Sequence, residues 1–203
     1  MQKSDIIEIL LYEPIEIAHK LGFKDMTDIH NEWMNQMIDG EDDETLQAHR
    51  GSFKTTCVAI AIAIILILFP LDRILFMRKT DTDTKEVIRQ VARILQTDLF
   101  TGIVKILYGV ELKLTTLTQT EISTNLCNDN KGTSQLLGIG LGGSITGKHY
   151  DRIFTDDIVN KKDRVSRAER ENTKLVYQEL QNVKNRGGRI FNTGTPWHKD
   201  DCF

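Results

Sequence analysis

The sequence predicts an α/β domain: a mostly parallel β-sheet with helices on both faces, preceded by a small helical segment. Three observations carry this. From residue 44 onward, strand-length apolar runs alternate with helix-length ones. The 203 residues are 40% apolar, enough to fill one core and too much for a disordered tail. Side chains suited to phosphate chemistry fall at the carboxyl ends of the expected strands, where ligands sit in such sheets.

Residues 1–43 read as a helical N-terminal segment packed on the core, and residues 44–203 as the core itself. In the first part, apolar clusters at Ile6–Leu11, Ile15–Leu21 and Trp33–Ile38 predict two or three short helices; Gly40 and the acidic run Glu41–Glu44 predict a loop. Thr45–His49 follows as a short strand, Thr55–Phe69 as a buried helix and Ile74–Arg78 as a second strand. Asp83 and Glu86 have capping-box spacing, opening a helix with Val87, Val91, Ile94 and Leu95 inside and Lys85, Arg89 and Arg93 outside. Leu112–Leu117, Leu136–Leu141 and Arg152–Thr155 read as strands. Ser166 and Glu169 open another helix, ended by Gly187–Gly188, and Arg189–Asn192 is the last strand. The sequence holds no internal repeat and no low-complexity tract.

Composition narrows the function classes. The longest apolar stretch, Cys57–Leu71, has fifteen residues and includes Pro70. It falls short of the roughly 18–20 that cross a bilayer, so no membrane association is expected. Ile6–Leu11, interrupted by Glu8, is too short for a signal peptide. Three cysteines without a CxxC pair suggest neither a disulfide framework nor a zinc site, and a reducing, intracellular setting. Net charge is −3, yet residues 1–47 hold three Lys/Arg against twelve Asp/Glu, while residues 148–190 hold eleven against seven. The basic back suits a phosphate-facing surface or ordinary solvated helices.

A phosphate loop needs inward backbone N–H groups, a lysine for the terminal phosphates, a hydroxyl for Mg²⁺ and a following helix. Gly142-Gly-Ser-Ile-Thr-Gly147-Lys148-His149 matches the letters of GxxxxGK[ST] except at its end. Ala48-His-Arg-Gly-Ser-Phe53-Lys54-Thr55 lacks two glycines but keeps Lys-Thr and leads into a long apolar helix. Context decides for the second. Arg50–Thr56 is the expected phosphate loop, with Lys54 on the phosphates and Thr55 on the metal. Gly138–Gly147 is then a flexible loop. The bland reading of Lys54 is a surface lysine before a helix.

Arg152-Ile-Phe-Thr-Asp156-Asp157 is a strand ending in two carboxylates. One suits Mg²⁺ opposite Thr55; the other suits orienting or deprotonating a water. Adjacent strand residues face opposite ways, so the pair works only where the chain turns. Phe191-Asn-Thr193-Gly194-Thr195-Pro196 closes the last strand with hydroxyls able to sense a γ-phosphate. His30 and Trp33 suit a core or surface position, or an adenine contact.

Together these segments resemble the ATPase domain of tailed-phage terminase large subunits. The resemblance covers roughly residues 30–203. It rests on Gln47-Ala-His-Arg-Gly-Ser-Phe-Lys-Thr-Thr56, Gly143-Ser-Ile-Thr-Gly-Lys-His149, Asp156-Asp-Ile-Val-Asn-Lys-Lys-Asp-Arg164 and Asn192-Thr-Gly-Thr-Pro-Trp-His-Lys-Asp-Asp201. It implies a P-loop NTPase fold of the RecA-like (ASCE) type, with ATP and Mg²⁺ bound by Arg50, Gly51, Ser52, Phe53, Lys54, Thr55 and Thr56. By that likeness Lys54 takes the β/γ-phosphates, and Arg50 helps phosphoryl transfer or nucleotide sensing. Thr55 and Asp156 hold the metal. Asp157 is the catalytic acid, shorter by one methylene than the family's usual Glu, and Thr193, Gly194 and Thr195 couple hydrolysis to motion.

Many members supply an activating arginine from a neighbouring subunit, from a loop before the paired acids; Lys148 lies in that region. The implied partners are double-stranded DNA, a small terminase subunit and a portal, in a homo-oligomeric ring in host cytoplasm at the procapsid. The family continues into a nuclease domain. The resemblance therefore implies that this chain, ending at Phe203, is a fragment or truncated form without cleavage activity. The rival readings are a nucleotide-binding or scaffolding module without hydrolysis, supported by Ala48, Phe53 and Asp157, and a helicase-like DNA-dependent ATPase.

Arg167, Arg170 and Lys174 on the helix from Ser166 are candidate DNA contacts, although Glu169 and Glu171 beside them also suit a solvated face. Replacing Arg167 and Arg170 separates the two: a gel shift with duplex DNA weakens if they touch phosphates, and stays at the parent value if the helix is only solvated.

Overall fold

The computed structural model describes residues 2–145, 147–197 and 202. Thr146 and residues 198–201, which belong to two of the segments quoted above, lie outside the described residues, as do Met1 and Phe203.

Three helices open the chain: α1 (Lys3–Tyr12), α2 (Pro14–Lys20) and α3 (Asp28–Asp39). Pro14 starts α2 where its missing N–H is no loss. Strand β1 (Glu44–Gln47) leads into α4 (Lys54–Leu68), and β2 (Ile74–Arg78) into α5 (Asp81–Leu95) and α6 (Asp98–Tyr108). Next come β3 (Leu114–Leu117), β4 (Glu121–Thr124), β5 (Leu136–Gly140) and β6 (Tyr150–Asp156). Helices α7 (Lys161–Val165) and α8 (Arg167–Val183) precede β7 (Lys184–Gly194). The seven strands form one sheet in the order β1-β7-β6-β2-β5-β4-β3. β1, β7, β6, β2 and β5 run parallel, while β4 pairs antiparallel with both β5 and β3.

Strand alternation feeds two cores. Ile74, Phe76, Phe154 and Phe191 face the side covered by α4, α5 and the N-terminal helices. Leu75, Met77, Ile153 and Ile190 face the side that receives Leu180 and Val183 of α8. Helix α4 is apolar all round and buried all round, as such a helix must be. Its outer side packs against α3, so Met34, Met37 and Ile38 join the same core as Ile60 and Ile64. Among the described residues, no helix is long and apolar enough to cross a membrane.

The expected α/β class is present, with several corrections. Helix α5 starts two residues before Asp83: the Thr80 side chain accepts the Asp83 N–H, so Thr80 is its cap. Ser166 caps α8 through the Glu169 N–H, as its spacing indicates. Gly187–Gly188 do not end that helix. They lie inside β7, which follows Val183 directly. Pairing with β6 shifts register between Tyr150 and Arg152, and a Cβ on Gly188 would stand 2.8 Å from the Asp151 carbonyl. The glycines serve this irregular close approach. The loop expected from Gly138 begins only after Gly140, because residues 138–140 belong to β5. Helices α6 and α7 and strand β4 are additions to the sequence reading.

Two glycines give opposite expectations. Gly140→Ala would bring a Cβ to 2.6 Å from the Asp81 backbone nitrogen, which cannot retreat; stability should fall by about 1–3 kcal/mol. Gly102→Ala, inside α6 with nothing within 4 Å, should raise it by about 0.5–1 kcal/mol. Urea midpoints of the two variants check both signs.

Candidate functional site

The turn between β1 and α4 carries the expected phosphate loop. The Ala48 N–H donates to the Gly194 carbonyl at 3.1 Å, which ties the start of the turn to the end of β7. Gly51 and Phe53 both take positive φ, 79° and 58°. For phenylalanine this is unusual backbone. The Phe53 ring stands edge-on to His30 with centroids 5.7 Å apart, and His30 stands likewise to Trp33 at 5.0 Å. His30 is itself fixed, its Nδ1 accepting the Thr27 N–H at 2.9 Å where α3 begins. These edge-on contacts tie the loop to α3. No side chain caps α4, so its first N–H groups remain for an anion.

Lys54, 5% exposed, donates through Nζ to the Ala48 and His49 carbonyls at 2.9 and 3.0 Å. The hydroxyl of Ser52 is buried without a partner among the described residues. Arg50, Gly51, Ser52, Phe53, Lys54, Thr55 and Thr56 line a cavity of about 380 Å³, together with Asp157. The Arg50 guanidinium lies over the Trp197 ring, 4.8 Å from its centroid.

Asp156 and Asp157 end β6. Asp157 has φ 46°, the turn that lets neighbouring side chains serve one site. Its N–H donates to the Thr193 carbonyl at 3.0 Å, and its Oδ1 is buried without a partner among the described residues. Asp156 is fully buried. Its Oδ2 accepts the Thr55 hydroxyl at 2.8 Å, and its Oδ1 accepts the Thr193 hydroxyl at 2.7 Å. Burial pushes its pKa above the ordinary carboxylate value. The Arg78 charge and the two hydroxyls oppose that rise, and the Asp157 charge adds to it.

Arg78 is the participant that sequence reasoning missed. Its Nε lies 3.1 Å from Asp156 Oδ2 and its Nη2 3.7 Å from Asp157 Oδ2. Thr193 and Thr195 behave as a bridge: Thr193 touches Asp156, and the Thr195 hydroxyl donates to the Ala48 carbonyl at 3.4 Å. Gly194, between them, accepts from Ala48.

The basic residues of α8 divide. Arg170 donates to the Asp163 carbonyl at 2.8 Å and so closes the end of α7, while Lys174 pairs with Glu171 at 3.5 Å. Arg167 is exposed. Lys148 is half-buried, in the segment before β6. Among the described residues, no three His, Cys, Asp or Glu side chains form a metal cluster. A cation at Thr55 and Asp156 would complete its shell with phosphate oxygens and water, the habit of Mg²⁺.

No protein-family model matches this sequence, and no curated protein matches it. A solved structure does. The fold is similar to that of the large terminase of bacteriophage HK97, with a TM-score of 0.54 and 11% identity. The likeness covers 87% of this chain and 35% of that one, so the chain spans about a third of its neighbour's length. At that identity the likeness shows the fold alone: an α/β domain whose strands and helices are arranged similarly to those of that terminase.

Thr193→Val keeps the shape but deletes the hydroxyl proton that the Asp156 carboxylate and the Thr155 carbonyl share. Stability should fall by about 1–3 kcal/mol, read from chemical denaturation; an unchanged midpoint would contradict the bridge.

Proposed function

We propose that this chain binds Mg²⁺-ATP and hydrolyses it, as the motor domain of a terminase large subunit that drives double-stranded viral DNA into a procapsid. One observation carries the reading. Thr55, at the first turn of α4, meets Asp156 at 2.8 Å across 101 residues of sequence, while Asp157 lines the same cavity as the loop.

The residues fit a magnesium–triphosphate. Among the described residues, Ser52 and Asp157 each keep a buried, unpartnered oxygen at the cavity, and no side chain caps the N-terminus of α4. Thr55 and Asp156 would hold the metal, whose charge offsets that of the phosphates. Lys54 turns from the carbonyls of Ala48 and His49 to the β/γ-phosphates, joined by the loop from Arg50 to Thr56. Arg50 neutralises developing charge. Asp157 orients the attacking water and accepts its proton. The Thr193–Thr195 tip contacts both Asp156 and the loop, which supports its reading as the coupling element.

DNA, the small terminase subunit and the portal are the proposed partners, in a ring in host cytoplasm. Of the basic residues on α8, Arg167 is the one exposed for a DNA phosphate. The rival reading, a nucleotide-binding module without hydrolysis, draws on the short reach of Asp157. Phosphate release measured with Mg²⁺ separates them.

Lys54→Ala should lower ATP turnover by about 10²-fold or more, whereas Lys148→Ala should leave nucleotide binding intact. The reverse pattern in a fluorescent-nucleotide titration would assign the phosphate loop to the segment before β6.

A further inference from the structure

We propose that Arg78 is the positioning residue of this site: it holds the Asp156 and Asp157 carboxylates when no metal is bound, and it yields one carboxylate oxygen when a divalent cation binds. The proposal rests on the magnesium–nucleotide reading above.

Strand β2 ends at Arg78, and the parallel register sets it beside Asp156. Its Nε lies 3.1 Å from Asp156 Oδ2 and its Nη2 3.7 Å from Asp157 Oδ2, so one planar group spans both acids. Oδ2 of Asp156 is also the oxygen that accepts the Thr55 hydroxyl. A metal held between Thr55 and Asp156 would compete with Arg78 for that carboxylate. Asp156 is fully buried and Arg78 only 17% exposed, so their attraction is weakly screened.

Charge accounting supports the assignment. Two adjacent carboxylates disfavour each other's ionisation. Among the described residues, the ion pairs of both acids are with Arg78. The other cations lining the cavity are turned elsewhere, Lys54 to the carbonyls of its own loop and Arg50 over the Trp197 ring. Arg78 therefore occupies the electrostatic place of the metal. A guanidinium and a divalent cation cannot both sit on one carboxylate oxygen without bringing two positive charges together.

Removing Arg78 consequently acts in two directions. The cation gains an uncontested oxygen, and Asp157 loses the contact that aims it. An arginine that merely supported the fold would not tighten metal binding when removed.

The test titrates Mn²⁺ into the full chain with ADP and follows free Mn²⁺ by electron paramagnetic resonance. In R78Q, Mn²⁺ affinity should rise about threefold or more, while phosphate release from ATP falls about tenfold. R78K keeps the charge but cannot span both acids, and its Mn²⁺ affinity should lie between the two. Unchanged or weaker Mn²⁺ binding in folded R78Q overturns the assignment and leaves the nucleotide reading standing. If R78Q does not fold, R78K decides on the same scale, with parent-like or weaker affinity overturning the proposal. A parent chain that binds no fluorescent ADP overturns the nucleotide reading, and Arg78's assignment falls with it.

Discussion

A carboxylate taken fully out of water needs partners on several sides, or it stops being a carboxylate. Asp156 is in that position, and its partners come from three elements: Thr55 from α4, Thr193 from β7 and Arg78 from β2. Strands β7 and β2 end beside β6 at the carboxyl end of the sheet because the three are parallel neighbours, and α4 begins there. The proposed phosphate loop joins the assembly through β1, which pairs with β7. The strand order thus does chemical as well as architectural work, since it decides which side chains can reach one buried charge.

The same carboxylate connects the site to the rest of the molecule. Immediately after Arg78, Lys79 donates to Asp163 at 2.9 Å and to Thr173 at 2.8 Å. Burial raises the Asp163 pKa, but the hydrogen bonds from Thr173, Lys79 and the Asn160 backbone more than offset it, holding that carboxyl below its ordinary value. The tip of β2 therefore touches the paired acids with one residue and anchors α7 and α8 with the next. Asn192 plays a comparable part on β7, binding Thr155, Thr45 and Tyr177 one residue before Thr193.

Much of the fold was legible because its signals are local. Strand β2 keeps its expected bounds, and α4 differs by one residue at each end, since an unbroken apolar run defines each of them. Helix α6 had local signals too, a Thr97 cap and Gly109 at φ 73°, but the interior Gly102 blurred its pattern. Strand β4, four residues long, has no pattern of its own apart from β3 and β5. At the candidate site, the residues of the turn before α4 and the paired acids were readable as residue types, and the structure brings them to one cavity. The turn at Asp157 was readable only as a requirement. Arg78 was not readable, because its neighbour is set by strand order between segments 78 residues apart. His30 shows the same limit: its contact with Phe53 depends on how α3 packs against α4.

The tether of Lys54 to the Ala48 and His49 carbonyls has a thermodynamic consequence. A free lysine side chain surrenders roughly 1.5–2 kcal/mol of rotamer entropy when a ligand immobilises it. Here folding has already imposed that order. An arriving anion exchanges one set of acceptors for another on a chain that is already still, so its affinity reflects a swap of hydrogen bonds more than the arrest of a moving arm.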